Sequence, residues 1–289
     1  MKIRDLFENT SISIRDLNLV VNNVKVCPPS GVKDYWKGDL TIGDFGLTSL
    51  EGCPKKVEGA FTCDSNYITT LEFGPEEAGE FFCDDNKLLN LEHSPKKVDG
   101  TYSCASNKTL VSIKGITQEG ITDLIIANCD IHSLQGAPNT INGKFDCKNN
   151  ENLNSLIGMP QNGVKHIYAN GCNLTSFEGA PKKVDGNVFA TKNPIKTLKN
   201  IHKIFDSIDG QMGLPSSIES NILGLLKIKN LTKISFFKNV MDKNEKGLGQ
   251  DKKEISDIIN QYLPNPTTDQ IIDCQNELIE AGFEDYAEL

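Results

Sequence analysis

Cys63, Cys83 and Cys104 lie 20 and 21 residues apart, and the residues around them repeat with them. In the segment Val57-Glu-Gly-Ala-Phe-Thr-Cys63-Asp-Ser-Asn-Tyr-Ile-Thr-Thr-Leu71 an apolar residue stands two before the cysteine. An asparagine follows three after it, and apolar residues five and eight after. The same order recurs around the reference positions Ile42, Cys63, Cys83, Cys104, Ile126, Cys147, Ala169 and Ala190, at intervals of 20 to 22 residues. Leu19, with Asn22, Val24 and Cys27 behind it, reads as an earlier and looser turn, and Leu226, Leu231 and Ile234 as a terminal one. A fixed period of this length means that each unit is too small to bury its own apolar face. Stacking against the next unit does that instead, so the chain reads as a solenoid.

The positions within each unit follow from the same requirement. Leu40, Phe61, Phe81, Tyr102, Leu124, Phe145, Ile167 and Val188 alternate with the reference residues, the period of a short strand with one face buried. Three residues past each reference position come Phe45, Asn66, Asn86, Asn107, Cys129, Asn150, Cys172 and Asn193. A buried Asn there can bond backbone groups of its own and of neighbouring coils, and Cys is small and apolar enough to replace it. About 21 residues leave no room for a full helix after strand and turn. The Pro-x-x-Val segments predict an extended or polyproline-like back instead. The ladder Gly38, Gly59, Gly79, Gly100, Gly143 and Gly186 is expected at the bend into each strand.

The fold expected is therefore a repeat β-solenoid over residues 32–240. It is an arc of roughly nine or ten coils with a parallel β-sheet on its concave face and an extended convex side. Residues 1–31 are assigned to an N-terminal cap and first irregular turn, and the polar, Gly-containing stretch 241–250 to a loop. Residues 251–289 read as an acidic helical C-terminal cap. Ile255, Ile258, Ile259, Tyr262 and Leu263 share one helical face, and Pro264 ends that helix. Thr267 with Gln270 forms a capping box for a second helix carrying Ile271, Cys274, Leu278 and Ile279, which Gly282 stops.

A net charge of -9 and a pI near 5.1 argue against nucleic-acid binding. From Met241 onward there are four basic and twelve acidic residues, a net of -8. Residues 1–240 thus carry only -1, and the acidity belongs to the tail. No apolar run reaches the roughly 18 residues a membrane helix needs. The charges in Met1-Lys-Ile-Arg-Asp-Leu-Phe-Glu-Asn9 stand where a signal peptide would be apolar, so the expected location is cytoplasmic.

The chain resembles the leucine-rich-repeat family over about three quarters of its length, through the pattern of strand, Asn/Cys turn and following Leu. Its short period and the segments Cys53-Pro-Lys-Lys-Val57, Ser94-Pro-Lys-Lys-Val98 and Ala180-Pro-Lys-Lys-Val184 are similar to the repeats of bacterial type III effectors. They are also similar to repeat proteins of tailed bacteriophages, as is the tail Cys274-Gln-Asn-Glu-Leu-Ile-Glu-Ala-Gly-Phe283. The resemblance implies a viral protein that binds or inhibits a protein of the bacterial host in the infected cell. Some of the similar effectors carry a ubiquitin-ligase domain. The segment around Cys274 is much too short for one.

Other chemistry finds little support. Each reference cysteine shares its position with Ile42, Ile126 or Ala190, and a metal ligand cannot be exchanged for Ile. No Cys-x-x-Cys pair occurs, so the cysteines read as reduced core thiols and neither metal nor cofactor is expected. His93, His132, His166 and His202 fall at different offsets in their units and align with no nucleophile, so no catalytic residues are assigned. Lys55–Lys56, Lys96–Lys97 and Lys182–Lys183 form a basic, solvated edge on the convex turns.

The outward strand face remains. Phe82, Asp84, Ile125, Asp146, Lys148, His166, Tyr168 and Phe189 are the candidate binding residues, because exposed aromatics among charges suit protein recognition. The expected function is a non-enzymatic protein-binding module. The alternative is a structural or assembly protein of a virion or scaffold, and third is an enzyme with its site assembled on the solenoid.

Overall fold

A computed structural model describes residues 20–21, 24–25, 34–237 and 250–288. The chain divides into two compact units, Met1–Ile141 and Asn142–Leu289. Each is built of parallel β coils, and the second ends in helices, so the chain is a β-solenoid with a C-terminal helical region. Among the described residues no helix is long and apolar enough to cross a membrane.

The first unit contains β1 (Val20–Val21), β2 (Val24–Lys25), β3 (Tyr35–Trp36), β4 (Leu40–Thr41), β5 (Lys56–Thr62), β6 (Glu77–Phe82), β7 (Lys97–Val98), β8 (Tyr102–Ser103) and β9 (Leu124–Ile125). β1 and β2 pair antiparallel, and most of the earlier turn predicted around Leu19 lies outside the described residues. From β3 on, pairing is parallel and in two columns. Leu40, Phe61, Phe81, Tyr102 and Leu124 are register partners in one. Tyr35, Lys56, Glu77, Lys97 and Glu119 are partners in the other. The extended back predicted from Pro-x-x-Val is thus a second β ladder. Between the ladders the rings of Phe61, Phe81 and Tyr102 stack, 5.5 and 5.2 Å apart, all fully buried.

The asparagine column holds the coils together. Asn107 donates its amide to the Cys104 carbonyl of its own coil at 2.9 Å and to the Cys83 carbonyl of the coil before at 3.0 Å. Its Oδ1 accepts the N–H of Leu88 at 3.1 Å. Asn66, Asn86 and Asn193 do the same in their coils. Cys129 and Cys172 reproduce only the donor half, through Sγ contacts of 3.3 Å to the carbonyls of Cys104 and Cys147. Phe45, in the same column, differs: its ring is exposed and its N–H is served by Asn66 of the following coil.

One residue before each member of that column the backbone is left-handed, at Asp44, Ser65, Asp85, Ser106, Asn128, Asn149, Gly171 and Lys192. Seven of these eight are Asp, Ser, Asn or Gly, the types that enter a turn most readily. Gly38, at φ 82° with open space around it, fits the expected bend, whereas Gly59, Gly79, Gly100 and Gly186 have a different role. A Cβ on Gly79 would lie 2.6 Å from the Glu58 carbonyl oxygen, so the glycine lets one coil close onto the next.

The second unit comprises β10 (Lys144–Asp146), β11 (His166–Tyr168), β12 (Lys183–Val184), β13 (Val188–Phe189), β14 (Ser207–Ile208), β15 (Gln211–Pro215) and β16 (Lys233–Phe237), with helices α1 (Ile201–Ile204), α2 (Gln250–Tyr262) and α3 (Thr268–Glu280). Phe145, Ile167, Val188, Met212 and Ile234 follow one another in register. The terminal turn read from Leu226, Leu231 and Ile234 is corrected here. Leu226 lies in a 3-10 turn, and Ile234 is an inner strand residue facing Met212. The true reference positions are Leu214 and Phe236, because α1 inserts into one coil and stretches the interval from Ala190 to 24 residues.

The helices cover the last coil. Ile255, Ile258 and Ile259 of α2 are buried. Asn260 acts as a surrogate strand for β16, with Oδ1 accepting the Ile234 N–H at 2.7 Å and Nδ2 donating to the Ile234 carbonyl at 2.9 Å. Two polar groups on a sheet edge are thereby satisfied, and the edge is closed to pairing with another chain. The capping box at Thr267 and Gln270 is present. Cys274 and Leu278 are buried as expected, whereas Ile279 is 43% exposed, because α3 presents only one narrow stripe to its neighbours. The loop expected at 241–250 lies outside the described residues but for Gln250, the first residue of α2.

Candidate functional site

The outward column of the second unit reads Asp146, Tyr168, Phe189, Gly213 and Ser235 in register. The Tyr168 and Phe189 rings stack nearly parallel, 5.8 Å apart at 13°, and His166 tilts beside Tyr168 at 6.3 Å. Gly213 leaves an empty place in the column. A Cβ there would lie 2.4 Å from the Phe189 ring and 3.2 Å from that of Phe237, so both rings lean over the glycine. Phe237 is 43% exposed. The result is a run of aromatic faces along one side of the unit. Aromatic pairs of this kind are held by roughly 0.5–1.5 kcal/mol beyond their burial, which fixes their orientation before any partner arrives.

Other expected residues are placed differently. Asp146 is 7% exposed, not open to solvent, and its carboxylate meets Lys148 Nζ at 3.2 Å. His166 is half-buried over Gly186, and its Nδ1 accepts the Asn187 N–H of the next coil at 3.1 Å. In the first unit Phe82 and Ile125 are half-buried, as are Tyr168 and Phe189 in the second, rather than fully exposed. Strands about 4.8 Å apart let neighbouring side chains of a column cover each other. Ser103, between Phe82 and Ile125, is buried and donates to Asp84 at 2.6 Å.

Asp84 is part of a ladder of its own. Its Oδ1 also accepts the Ala105 N–H at 2.7 Å, Asp64 Oδ1 accepts the Asp84 N–H at 2.7 Å, and Asn170 accepts that of Thr191 at 2.9 Å. These side chains stitch coil to coil, and of the expected binding residues Asp84 has its Oδ1 taken up in this way.

Burial pushes the Asp64 carboxyl up to about 6, with the Asp84 and Asp85 carboxylates adding to the effect against the lowering by the Asp84 N–H. A folded value above the unfolded one means that the native state holds the proton more tightly. Stability therefore falls as pH rises between about 4 and 6. Asp64→Asn keeps the acceptor, as Asn170 shows, and removes the buried charge. Denaturant titrations across this range should show D64N with a flatter pH profile and higher stability than the parent at pH 7. Parallel profiles would mean that Asp64 does not titrate in this window.

The cysteine column is core. Cys63, Cys83 and Cys104 are fully buried, and desolvation holds their thiols well above the usual range, away from the thiolate that metals and electrophiles require. Burial and the Glu277 carboxylate push Cys274 up to about 12. Among the described residues no histidine is hydrogen-bonded to a serine, threonine or cysteine. No family model, curated protein or solved structure matches the chain.

Proposed function

We propose that the chain is a non-enzymatic protein-recognition module of the leucine-rich-repeat type, which binds its partner through the outward strand face. The observation that carries the reading is the aromatic run of Tyr168, Phe189 and Phe237, pre-ordered by stacking and by the gap at Gly213. Rigid aromatics lose little conformational freedom on binding and commonly form the energetic centre of an interface. The resemblance to phage repeat proteins makes a bacterial host protein, met in the cytoplasm, the partner put forward.

Tyr168→Ala with Phe189→Ala tests this. Both side chains point away from the core, so the double variant should melt within a few degrees of the parent. With aromatic anchors contributing about 2 kcal/mol or more each, it should bind the captured partner at least tenfold more weakly. Lys55→Ala with Lys56→Ala, at the second ladder of the first unit, should bind as the parent does. The reverse pattern would place the interface on the Pro-Lys-Lys-Val side and end this proposal.

A further inference from the structure

The second ladder carries a regular charge pattern in the first unit that the second unit breaks. In the first unit the outward register column alternates Lys56, Glu77, Lys97 and Glu119. The alternation is realised in ion pairs: Lys56 meets Glu77 at 2.6 Å, and in the adjacent column Lys96 meets Glu76 at 2.5 Å. Lys97 is held by Asp99 at 2.7 Å. Lys56, Lys96 and Lys97 of that surface are each paired with a carboxylate.

In the second unit the corresponding column reads Lys183, Ser207 and Lys229. The adjacent column keeps the pairing, with Lys182 3.8 Å from Asp206 and also donating to the Lys203 carbonyl. The position where the first unit has Glu77 is a serine. Two lysines thus flank a small hydroxyl, with the ends of the column on the order of 10 Å apart at two strand spacings. Lys227, His202, Asn230 and Asp206 complete the lining of a cleft of about 490 Å³ at this place, and the Asp206 carboxylate is the one already set against Lys182. Among the described residues no carboxylate lies within ion-pair distance of Lys183, Lys227 or Lys229. The nearby Asp209 accepts a hydrogen bond from Asn230 at 2.7 Å.

His202, which also lines the cleft, carries an unsatisfied atom. Its Nδ1 is the one buried side-chain nitrogen or oxygen without a hydrogen-bond partner among the described residues. It sits against Gly224, where a Cβ would come within 3.1 Å. An orphaned polar atom is costly, and each one in a native structure asks for a reason. Burial, Lys227 and Lys203 hold the imidazole below its usual pKa, so a negative charge in the cleft would meet positive charge already gathered there.

We infer that this cleft binds a compact phosphorylated ligand through its diphosphate group, with Lys183, Lys227 and Lys229 as charge partners and Ser207 as a hydroxyl donor. Three ammonium groups match the charge of a diphosphate better than that of a single phosphate, and the spread of the column exceeds what one phosphate can touch. Lysine is well suited to the task as a point charge on a flexible stem. The site is separate from the aromatic strand face and does not depend on the recognition reading.

Calorimetric titration of the full chain with inorganic pyrophosphate should give saturable one-to-one binding that weakens with added salt. Inorganic phosphate should bind more weakly. ADP should bind at least as well as pyrophosphate if the ligand is a nucleotide, and more weakly if free diphosphate is the better fit; either supports the site. Lys183→Ala with Lys229→Ala should lower affinity about tenfold or more, as loss of charge-assisted hydrogen bonds implies. Ser207→Glu restores the alternation of the first unit, should leave thermal stability intact or raised, and should abolish binding. No saturable heat with pyrophosphate would overturn the inference, as would equal binding by S207E. Binding of a single-stranded oligonucleotide that pyrophosphate cannot compete would overturn it in favour of a nucleic-acid backbone.

Discussion

Replacing Phe81 by alanine should lower the unfolding free energy by about 5 kcal/mol, the upper end of what a buried phenylalanine loses in cavity and transfer terms. The ring is fully buried and lies between Phe61 at 5.5 Å and Tyr102 at 5.2 Å, so its removal opens a void and breaks two ring contacts at once. Each such contact contributes roughly 0.5–1.5 kcal/mol beyond area. Phe145, equally buried but paired in register with the aliphatic Ile167, should lose less on the same substitution. In a stacked array the damage spreads, because each coil is a neighbour's only cover on that side. Urea unfolding of F81A and F145A beside the parent decides the matter. A loss below about 1 kcal/mol for F81A would mean that the column is far looser than the ring distances indicate.

The residues that make this column visible in the sequence are the ones the period enforces. Phe81 and Cys83 alternate inward because a two-residue period admits one buried face, and Asn86 must follow because the turn needs a donor and an acceptor together. Phe237 and Gly213 escaped for a local reason: α1 lengthens one coil, and a fixed offset counted from Ala190 lands on the wrong residues. Asp84 and His166 were legible as polar and outward, yet their bonds to Ala105 and Asn187 depend on which backbone N–H the next coil presents. That is a matter of register between coils, to which composition is blind. The left-handed column of Asp44, Ser65, Asp85, Ser106 and Asn128 was available to sequence reasoning, since its residue types are those that favour the conformation. The charge break at Ser207 becomes visible only once Lys183 and Lys229 are known to flank it in one ladder.

The asparagine column gives the second large effect, and it separates two explanations of why cysteine alternates with asparagine there. Asn107 is fully buried and serves four backbone groups of two coils: the carbonyls of Cys83, Cys104 and Ala105 and the N–H of Leu88. The first two carbonyls keep other partners, Asn86 on Cys83 and Cys129 on Cys104, at 3.2 and 3.3 Å. The buried Leu88 N–H loses its side-chain acceptor, and a buried unsatisfied group costs about 1–3 kcal/mol. With the weakened carbonyls and the lost packing, Asn107→Ala should cost about 3–4 kcal/mol. Asn107→Cys fills the space and restores a donor, as Cys129 and Cys172 do with their 3.3 Å contacts, but it is a poor acceptor for Leu88. It should fall about midway between N107A and the parent. If volume alone governed the column, Asn107→Val would match N107C. If hydrogen bonding governs it, N107V should lie near N107A, since it fills the site and bonds nothing. Amide exchange at Leu88 reads the same question directly: its protection should collapse in N107A and N107V while that of Phe81, bonded to the Thr101 carbonyl across the strands at 2.9 Å, persists.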